Sequence, residues 1–492
     1  MTRSPRLPRL LPVLLLSTAA ALAGCTVGPD YASPPEVASS AAHAPGFVRA
    51  GDAPVVTTPP PSRWWETLGD ATLTALVDDA LRDSPTIDAA EARVRIARAA
   101  LRQERASQLP SVNAQALYAH ARLPGGGLGG DDSGSEGETG GDGGTDALNI
   151  YNVGFDASWE VDLFGGGRRA TEGARATAEA RVAELADAQV SLAAEVAQAY
   201  VNLRDTQQRV ALNQRSAEME QRMLALTTQR RDAGTASELD VERLRNQVEN
   251  TQANLVPLRA QVEQYLNQLA VLTGREPGAL DATLATPAPV PLPPAQVAIG
   301  DPAEMLRRRP DIRAAERTLA ASNAQIGVNV ASMFPRLSFL GIIGIGGTRA
   351  SDLTHLDDFI AAGAPMLQWN VLDFGANRAR VAQAEGQRDV NIAQYRGAVL
   401  DALRDAEDSL ARFRHQRTNV ASLARAKASA DRAASLSNQR FEAGTGTMIE
   451  QLDAERSRLA SEAGLAQSTA ALTNDYVALQ KSLGLGWSDA QP

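Results

Sequence analysis

Cys25 is the only cysteine in the chain, and the four histidines, His43, His120, His355 and His415, stand far apart. A lone cysteine excludes an intramolecular disulfide framework. The histidine positions match no metal-ligand spacing, so no metal is expected. The chain has no Walker loop, no Gly-x-Ser-x-Gly and no cysteine nucleophile, so neither an enzyme nor a cofactor is expected. The carboxylates that do fall into a pattern are Glu450 and Asp453, three apart and hence on one face of a helix, with Asp240 at the corresponding place 210 residues earlier. A second acidic group, Asp131, Asp132, Glu136, Glu138, Asp142 and Asp146, lies in the Gly-rich stretch from Pro124 to Asp146. It has neither an EF-hand spacing nor a regular Gly-Gly-x-Gly-x-Asp repeat, so it reads as a flexible loop and not as a calcium site.

The elements that must position these residues come from an internal duplication. Trp159-Glu-Val-Asp-Leu-Phe-Gly-Gly-Gly-Arg168 precedes Trp369-Asn-Val-Leu-Asp-Phe-Gly-Ala-Asn-Arg378 by 210 residues, and Asp232-Ala-Gly-Thr235 precedes Glu442-Ala-Gly-Thr445 by the same interval. Upstream, Pro85-Thr-Ile-Asp-Ala-Ala-Glu91 and Leu109-Pro110 match Pro310-Asp-Ile-Arg-Ala-Ala-Glu316 and Phe334-Pro335 at an offset of 225. A repeat of this length sets the architecture before any motif does.

Within each repeat the apolar period changes from helical to two and back. Trp64 to Leu81 and Thr86 to Gln108 read as helices. Val112, Ala114, Ala116 and Tyr118, then Tyr151, Val153, Phe155, Ala157, Trp159 and Val161, alternate as strands; Leu337 to Ile345 and Ala361 to Val371 repeat them. Pro365 counts against a central place in a sheet. From Arg168 to Arg231, Val182, Leu185, Leu192, Val196, Ala199, Leu203 and Val210 follow a coiled-coil-like period. A helix of about 64 residues spans ~96 Å, roughly three bilayer cores. Gly234 and Gly444 mark tight turns that send the chain back along Glu238–Thr273 and Met448–Leu483. The expected boundaries are 1–24 for a leader, 25–62 for an extended tether, 63–274 and 303–485 for the repeats, 275–302 for a stiff Pro-rich connector and 486–492 for a tail. Strands are expected at about 111–121, 149–162, 336–346 and 359–372, and long helical hairpins at 168–273 and 377–484.

Aromatic residues make up only 4% of the 492, while Ala, Gln, Arg, Glu and Leu crowd long stretches, a mixture suited to long helices packed through small side chains. The formal charge is −10, and loss of the leader with Arg3, Arg6 and Arg9 leaves about −13. An acidic chain without a basic patch is a poor nucleic-acid binder. The leader has a positive start, an apolar run from Leu10 to Leu22, and Leu22-Ala23-Gly24-Cys25, which resembles a bacterial lipobox. That resemblance implies lipidation of Cys25; three acyl chains exceed the roughly two signals that stable anchoring needs. Thr26 follows where an aspartate would retain the protein in the inner membrane, so the resemblance implies the outer membrane.

No other stretch is long and apolar enough for a transmembrane helix, so any crossing must be a closed β-barrel. Four strands cannot close one, and unpaired edges are not tolerated in hydrocarbon. Two chains would give eight strands with a filled interior; three give twelve and a lumen, which long helices favour. A soluble β-sandwich is the alternative reading.

Several motifs in order now carry a resemblance. They are Cys25-Thr-Val-Gly-Pro-Asp-Tyr31, Trp64-Trp65-Glu-Thr-Leu-Gly-Asp-Ala-Thr-Leu73, Leu306-Arg-Arg-Arg-Pro-Asp-Ile-Arg-Ala-Ala-Glu316, Asp373-Phe-Gly375 and Leu483-Gly-Leu-Gly-Trp487. From Cys25 to Trp487 the chain resembles the outer-membrane factor (TolC-like) family, in its lipoprotein efflux branch of OprM/NodT type. The resemblance implies an α+β membrane channel, a homotrimer. Its 12-stranded outer-membrane barrel, four strands per chain, is continuous with a long periplasmic α-helical barrel. It implies a passive exit duct for small molecules, served by a periplasmic adaptor and an inner-membrane pump of the RND or related type.

The resemblance also gives roles to residues. Gly234, Thr235, Ser237, Gly444, Thr445 and Thr447 fall at the periplasmic tips where an adaptor docks; the alternative is that the glycines only cap helices. Asp240, Glu450 and Asp453 fall at the periplasmic gate, where threefold symmetry would gather a cation-favouring ring whose carboxylates repel and raise one another's pKa; the alternative is a solvated helix face. Relatives with a tip arginine have it where Gly446 stands here. Trp159 and Trp369 are expected at the membrane interface, or in packing at the strand-to-helix junction. The rival functions are a type I protein-secretion duct, a periplasmic adaptor and a structural coiled-coil lipoprotein; the strand–helix duplication speaks against the last two.

Overall fold

The computed structural model describes residues 26–51, 55–122 and 147–487. The expected leader, Cys25 and the acidic Gly-rich stretch 124–146 lie outside the described residues. The described chain forms two compact units.

The first unit holds Ala97–Ala178, Thr318–Asn391 and the N-terminal segment to Ser33. At its centre are β2 (Ser111–Arg122), β3 (Ala147–Val161), β5 (Arg336–Gly347) and β6 (Phe359–Gln368), in the order β2-β3-β5-β6 and antiparallel throughout. The register sets Val112 opposite Ala157, Trp159 opposite Phe339 and Phe339 opposite Pro365. Period-two alternation builds these strands, and cross-strand aromatic pairs fix the register: Tyr118 and Tyr151 face each other with ring centroids 4.9 Å apart, and Trp159 stacks on Phe339 at 6.1 Å. Apolar side chains such as Val112, Val153, Phe155, Ile342 and Leu367 are exposed.

The alternation read as running to Val371 outlasts the β6 ladder, which stops at Gln368 opposite Arg336, the first residue of β5. Beyond that pair no strand among the described residues is there for residues 369–371 to bond. Pro365 sits on an edge strand, where a missing N–H is tolerated.

The second unit holds Pro34–Ile96, Glu179–Arg317 and Ile392–Pro492. Its core gathers Trp64, Trp65, Leu73, Tyr200, Leu203, Leu269, Phe413 and Tyr476. Trp64 meets Trp65 and Tyr476 edge to face, with centroids 5.7 and 6.1 Å apart. The helix expected from Trp64 to Leu81 is two elements, a 3-10 turn at Trp64–Leu68 and α1 (Ala71–Asp83). Gly69 ends the first at φ 66°, and Asp70 starts the second by accepting the amides of Thr72 and Leu73 at 2.9 Å. The next helix is α2 (Pro85–Ser107).

The tether and connector are not free spacers. β1 (Val55–Val56) pairs in parallel with β4 (Val297–Ala298), Phe47 is buried, and the amides of Val48 and Arg49 donate to the Glu407 carboxylate at 2.8 and 2.7 Å. Pairing across more than 200 residues gives these Pro-rich segments hydrogen-bond partners that local sequence does not announce.

Two long helical pairs complete the chain: α3 (Gly166–Asp232) with α4 (Glu238–Leu272), and α7 (Ala376–Glu442) with α8 (Met448–Ser482). Between them come α5 (Pro302–Arg308) and α6 (Pro310–Ala331). Of the periodic α3 positions, Leu192, Val196, Ala199 and Leu203 are buried, while Val182 is exposed. Small residues fill much of the rest, including Ala176, Ala178, Ala180, Ala183 and Ala186. Among the described residues, no helix is long and apolar enough to cross a membrane.

Candidate functional site

The two turns at the far ends of the helical pairs carry most of the residues singled out from sequence, and both are built the same way. In the first, Gly234 has φ 74°, its amide donates to Arg231 O at 2.8 Å, and the Thr235 amide donates to Arg230 O at 2.7 Å. This is a Schellman motif, in which a left-handed residue lets two amides satisfy carbonyls the helix leaves open. Gly444, at φ 72°, repeats it with Phe441 O and Arg440 O. The hydroxyls of Thr235 and Thr445 also donate to Arg230 O and Arg440 O, at 3.0 and 3.2 Å.

Each turn then opens the returning helix with a capping box. Ser237 Oγ accepts the Asp240 amide at 3.2 Å, and the Asp240 carboxylate accepts the Ser237 amide and hydroxyl at 3.3 and 2.7 Å. Thr447 Oγ1 accepts the Glu450 amide at 3.2 Å, and Glu450 Oε2 accepts the Thr447 amide at 3.0 Å. All six tip residues and two of the three candidate gate acids are therefore structural parts of the turns. The hydrogen bonds from Ser237, side chain first and backbone second, hold the Asp240 carboxyl below its ordinary value. Within one chain this capping opposes the upward shift expected of a charged ring.

Asp453 is the acid left free for other work. It is 69% exposed, and its nearest cation, Arg456, is 3.8 Å away. The three acids do not converge within the chain: Asp240 belongs to one turn, Glu450 and Asp453 to the other. Among the described residues no group of acids, histidines or cysteines has metal-binding geometry.

Sequence reasoning missed Arg440. Its guanidinium donates to Thr445 O at 3.3 Å and lies 4.0 Å from Glu450, so the second turn carries a cation supplied from the outgoing helix. Gly446 packs tightly there: its amide donates to Arg440 O, and an added Cβ would lie 3.1 Å from Arg440 Cβ, close enough that the turn would have to shift slightly. A second missed feature is a cleft of about 730 Å³ beside the same turn, walled by Met219, Met223, Leu226, Phe441, Met448 and Leu452 and rimmed by arginine and glutamate. Its walls come from three helices, and no single-helix pattern reveals them.

The tryptophans occupy equivalent places in the first unit. Trp159 Nε1 donates to Gln108 O at 2.9 Å, and Trp369 Nε1 donates to Met333 O at 3.1 Å. Each indole satisfies a carbonyl in the short link between a helix and the strand that follows it, and each ring remains exposed. The lipidation candidate Cys25 lies outside the described residues.

These elements, a four-stranded antiparallel sheet with exposed apolar side chains and, among the described residues, two open edges, each repeat leading into a long helical hairpin, define a membrane channel subunit of the α+β class. The chain belongs to the outer membrane efflux protein family, whose model matches residues 76–275 and 302–485. It is 30% identical to outer membrane protein OprJ of Pseudomonas aeruginosa, over 97% of this chain and 96% of that protein. It is also 30% identical to the toluene efflux pump outer membrane protein TtgI of Pseudomonas putida, over 96% of this chain and 97% of that protein. The solved outer-membrane channel OprN superimposes with a TM-score of 0.83 at 34% identity, covering 94% of this chain and all of that one. The open state of the Neisseria gonorrhoeae MtrE outer membrane channel gives 0.76 at 27% identity, covering 94% and 98%. The protein is thus an outer-membrane efflux channel component with a large periplasmic part.

Proposed function

We propose that the chain assembles as a homotrimer whose twelve strands close one barrel, giving a passive exit duct in a tripartite efflux system. The observation that carries this reading is the sheet itself. Its outer strands, β2 and β6, have no second partner among the described residues, and every residue of β6 is exposed. Such edges are stable in a bilayer only when another chain pairs with them. A periplasmic adaptor meets the turns at Gly234 and Gly444, and an inner-membrane pump of the RND or related type supplies the energy. The names of relatives that export toluene and solvents favour small, poorly polar compounds as cargo.

Lipid anchoring through Cys25 is part of the same reading. The residues after it are fastened to the end of β3 and the start of α3: the Val27 amide donates to Phe164 O at 3.1 Å, and buried Arg169 pairs with Asp30. Acyl chains on Cys25 would then enter the membrane beside the strands that cross it. Asp240, Glu450 and Asp453 form the periplasmic gate, Asp453 contributing an exposed carboxylate whose ion partner is Arg456 at 3.8 Å, and Trp159 and Trp369 mark the membrane interface.

The test is in vivo crosslinking of the chain to its partners, with susceptibility testing of a deletion strain. Recovery of an adaptor and a proton-driven pump, with increased sensitivity to small toxic compounds, is expected. Recovery of a secretion ATPase complex with unchanged sensitivity would replace this reading with a protein-secretion duct.

A further inference from the structure

The two repeats obey one geometry at the strand-to-helix junction. The contact of Trp159 with Gln108 O recurs, at the offsets of 210 and 225, as the contact of Trp369 with Met333 O. One contact, however, occurs only once among the described residues. Where the last strand of the first repeat meets the first strand of the second, Trp159 faces Phe339, Val161 faces Leu337, and Phe164 stacks on Phe334 with centroids 4.6 Å apart. The equivalent of Phe164 is Phe374, and the equivalent of Phe334 is Leu109. Phe374 is 93% exposed, at φ 52°, a left-handed conformation that costs a bulky residue free energy, and Leu109 is exposed as well. The β3 ladder reaches Val161, while β6 stops three residues short of the equivalent Val371. Each half of the missing junction lies bare on an opposite edge of the sheet.

We propose that β6 of one chain pairs with β2 of the next in the register of the β3–β5 junction, and that Phe374 closes onto Leu109 of the partner subunit. This rests on the oligomeric reading above but adds what that reading leaves open, the register and the residue that seals the joint. The occupant is a second copy of this chain, because the chain already shows the same joint made from its own equivalent residues. Trp369 then faces Ala114 of the partner subunit, Val371 faces Val112 of the partner subunit, and the β6 ladder extends past Gln368. Farther along, Ala364 faces Ala119 of the partner subunit and Ala362 faces Ala121 of the partner subunit.

Cysteine pairs in the full-length protein in native membranes test the register. The pairs A119C/A364C and A121C/A362C are in register; A119C/A362C and A121C/A364C use the same four positions shifted by two. Single-cysteine chains control for Cys25. Under mild oxidation the in-register pairs should give intersubunit disulfides about tenfold faster than the shifted ones, since a disulfide forms only at close Cβ separation. Equal or faster crosslinking of the shifted pairs overturns the register. So does an absence of crosslinks while the unmodified chain runs as an oligomer in native electrophoresis. An unmodified chain that runs as a monomer in membranes removes the oligomeric reading itself. Phe374→Ala provides a second measurement, independent of disulfide formation. It should lower the temperature at which the oligomer dissociates and leave helix content unchanged; an unaltered dissociation temperature overturns the Phe374 contact.

Discussion

Tyr200 donates its phenolic hydrogen to Asp70 Oδ2 at 2.7 Å, while Oδ1 of the same carboxylate accepts the first amides of α1. One side chain thus caps a helix and ties it to α3. The Arg204 guanidinium lies 4.9 Å from the Tyr200 ring centroid and donates to Thr286 O at 2.8 Å, extending the tie to the connector. Tyr200→Phe keeps the ring and removes the hydrogen bond to a charged acceptor, so it should cost about 1.5–3 kcal/mol, read as a lowered midpoint in thermal unfolding. Burial first, and the hydrogen bond to Asp70 second, push the Tyr200 hydroxyl up to about 12. A raised value means the folded state holds the proton more tightly. The associated stability is complete below the ordinary value of 10.0 and is lost as pH rises through about 12. Tyr200→Phe should flatten that alkaline loss, leaving the part due to buried Tyr476, also raised to about 12.

Asp205 gives the opposite kind of prediction. It is buried, its Oδ1 has no hydrogen-bond partner, and its nearest cation, Arg209, is 3.7 Å away. Burial raises its carboxyl above the ordinary 3.8, and Arg209 only partly offsets this. The ionised form is disfavoured in the fold, so stability falls as pH rises from the unfolded value through the folded one. Asp205→Asn should therefore raise the unfolding midpoint at about pH 7 by the equivalent of roughly 1 kcal/mol, with the gain shrinking toward about pH 4. An equal gain at both values would separate the effect from ionisation.

The capping boxes predict local effects. Ser237→Ala and Thr447→Ala each remove an acceptor from the first turn of a long helix and should cost about 1 kcal/mol there. Hydrogen exchange at the Asp240 and Glu450 amides should quicken by about fivefold. The global unfolding midpoint should stay almost fixed, because the buried core around Trp64 and Phe413 is untouched.

These residues also show how far the sequence could be read. The duplication, four strands and two helical returns were legible because period changes and matched motifs are local signals. Ser237-x-x-Asp240 and Thr447-x-x-Glu450 are capping-box patterns in plain view, which neither a charged ring nor a solvated helix face takes into account. The pairing of Val55 with Val297, the reach of Arg440 to Thr445 O, and the cleft beside Phe441 are different. They depend on side chains and segments brought together by the fold, which no periodicity encodes. The break at Gly69 was hidden because the apolar spacing on either side still suits one helix.

The gate assignment can be tested by separating charge from capping. Glu450 holds the Thr447 amide and lies 4.0 Å from Arg440, so Glu450→Ala would remove a cap and a charge together. Glutamine also serves as the partner in a capping box, so Glu450→Gln removes the charge and keeps the turn. Asp453 bonds no backbone amide of the turn and has only Arg456 at 3.8 Å, so Asp453→Asn is a charge change alone. If symmetry gathers these carboxylates at a constriction, they concentrate cations there. The double variant Glu450→Gln/Asp453→Asn should then lower cation preference, read as a shifted reversal potential under a salt gradient in planar bilayers. Asp453→Asn should carry most of the shift, because its carboxylate is the more exposed and the less engaged. The difference should fade above about 1 M salt, where screening acts within about 3 Å. A double variant with unaltered reversal potential and conductance at low salt would place both acids on an ordinary solvated helix face.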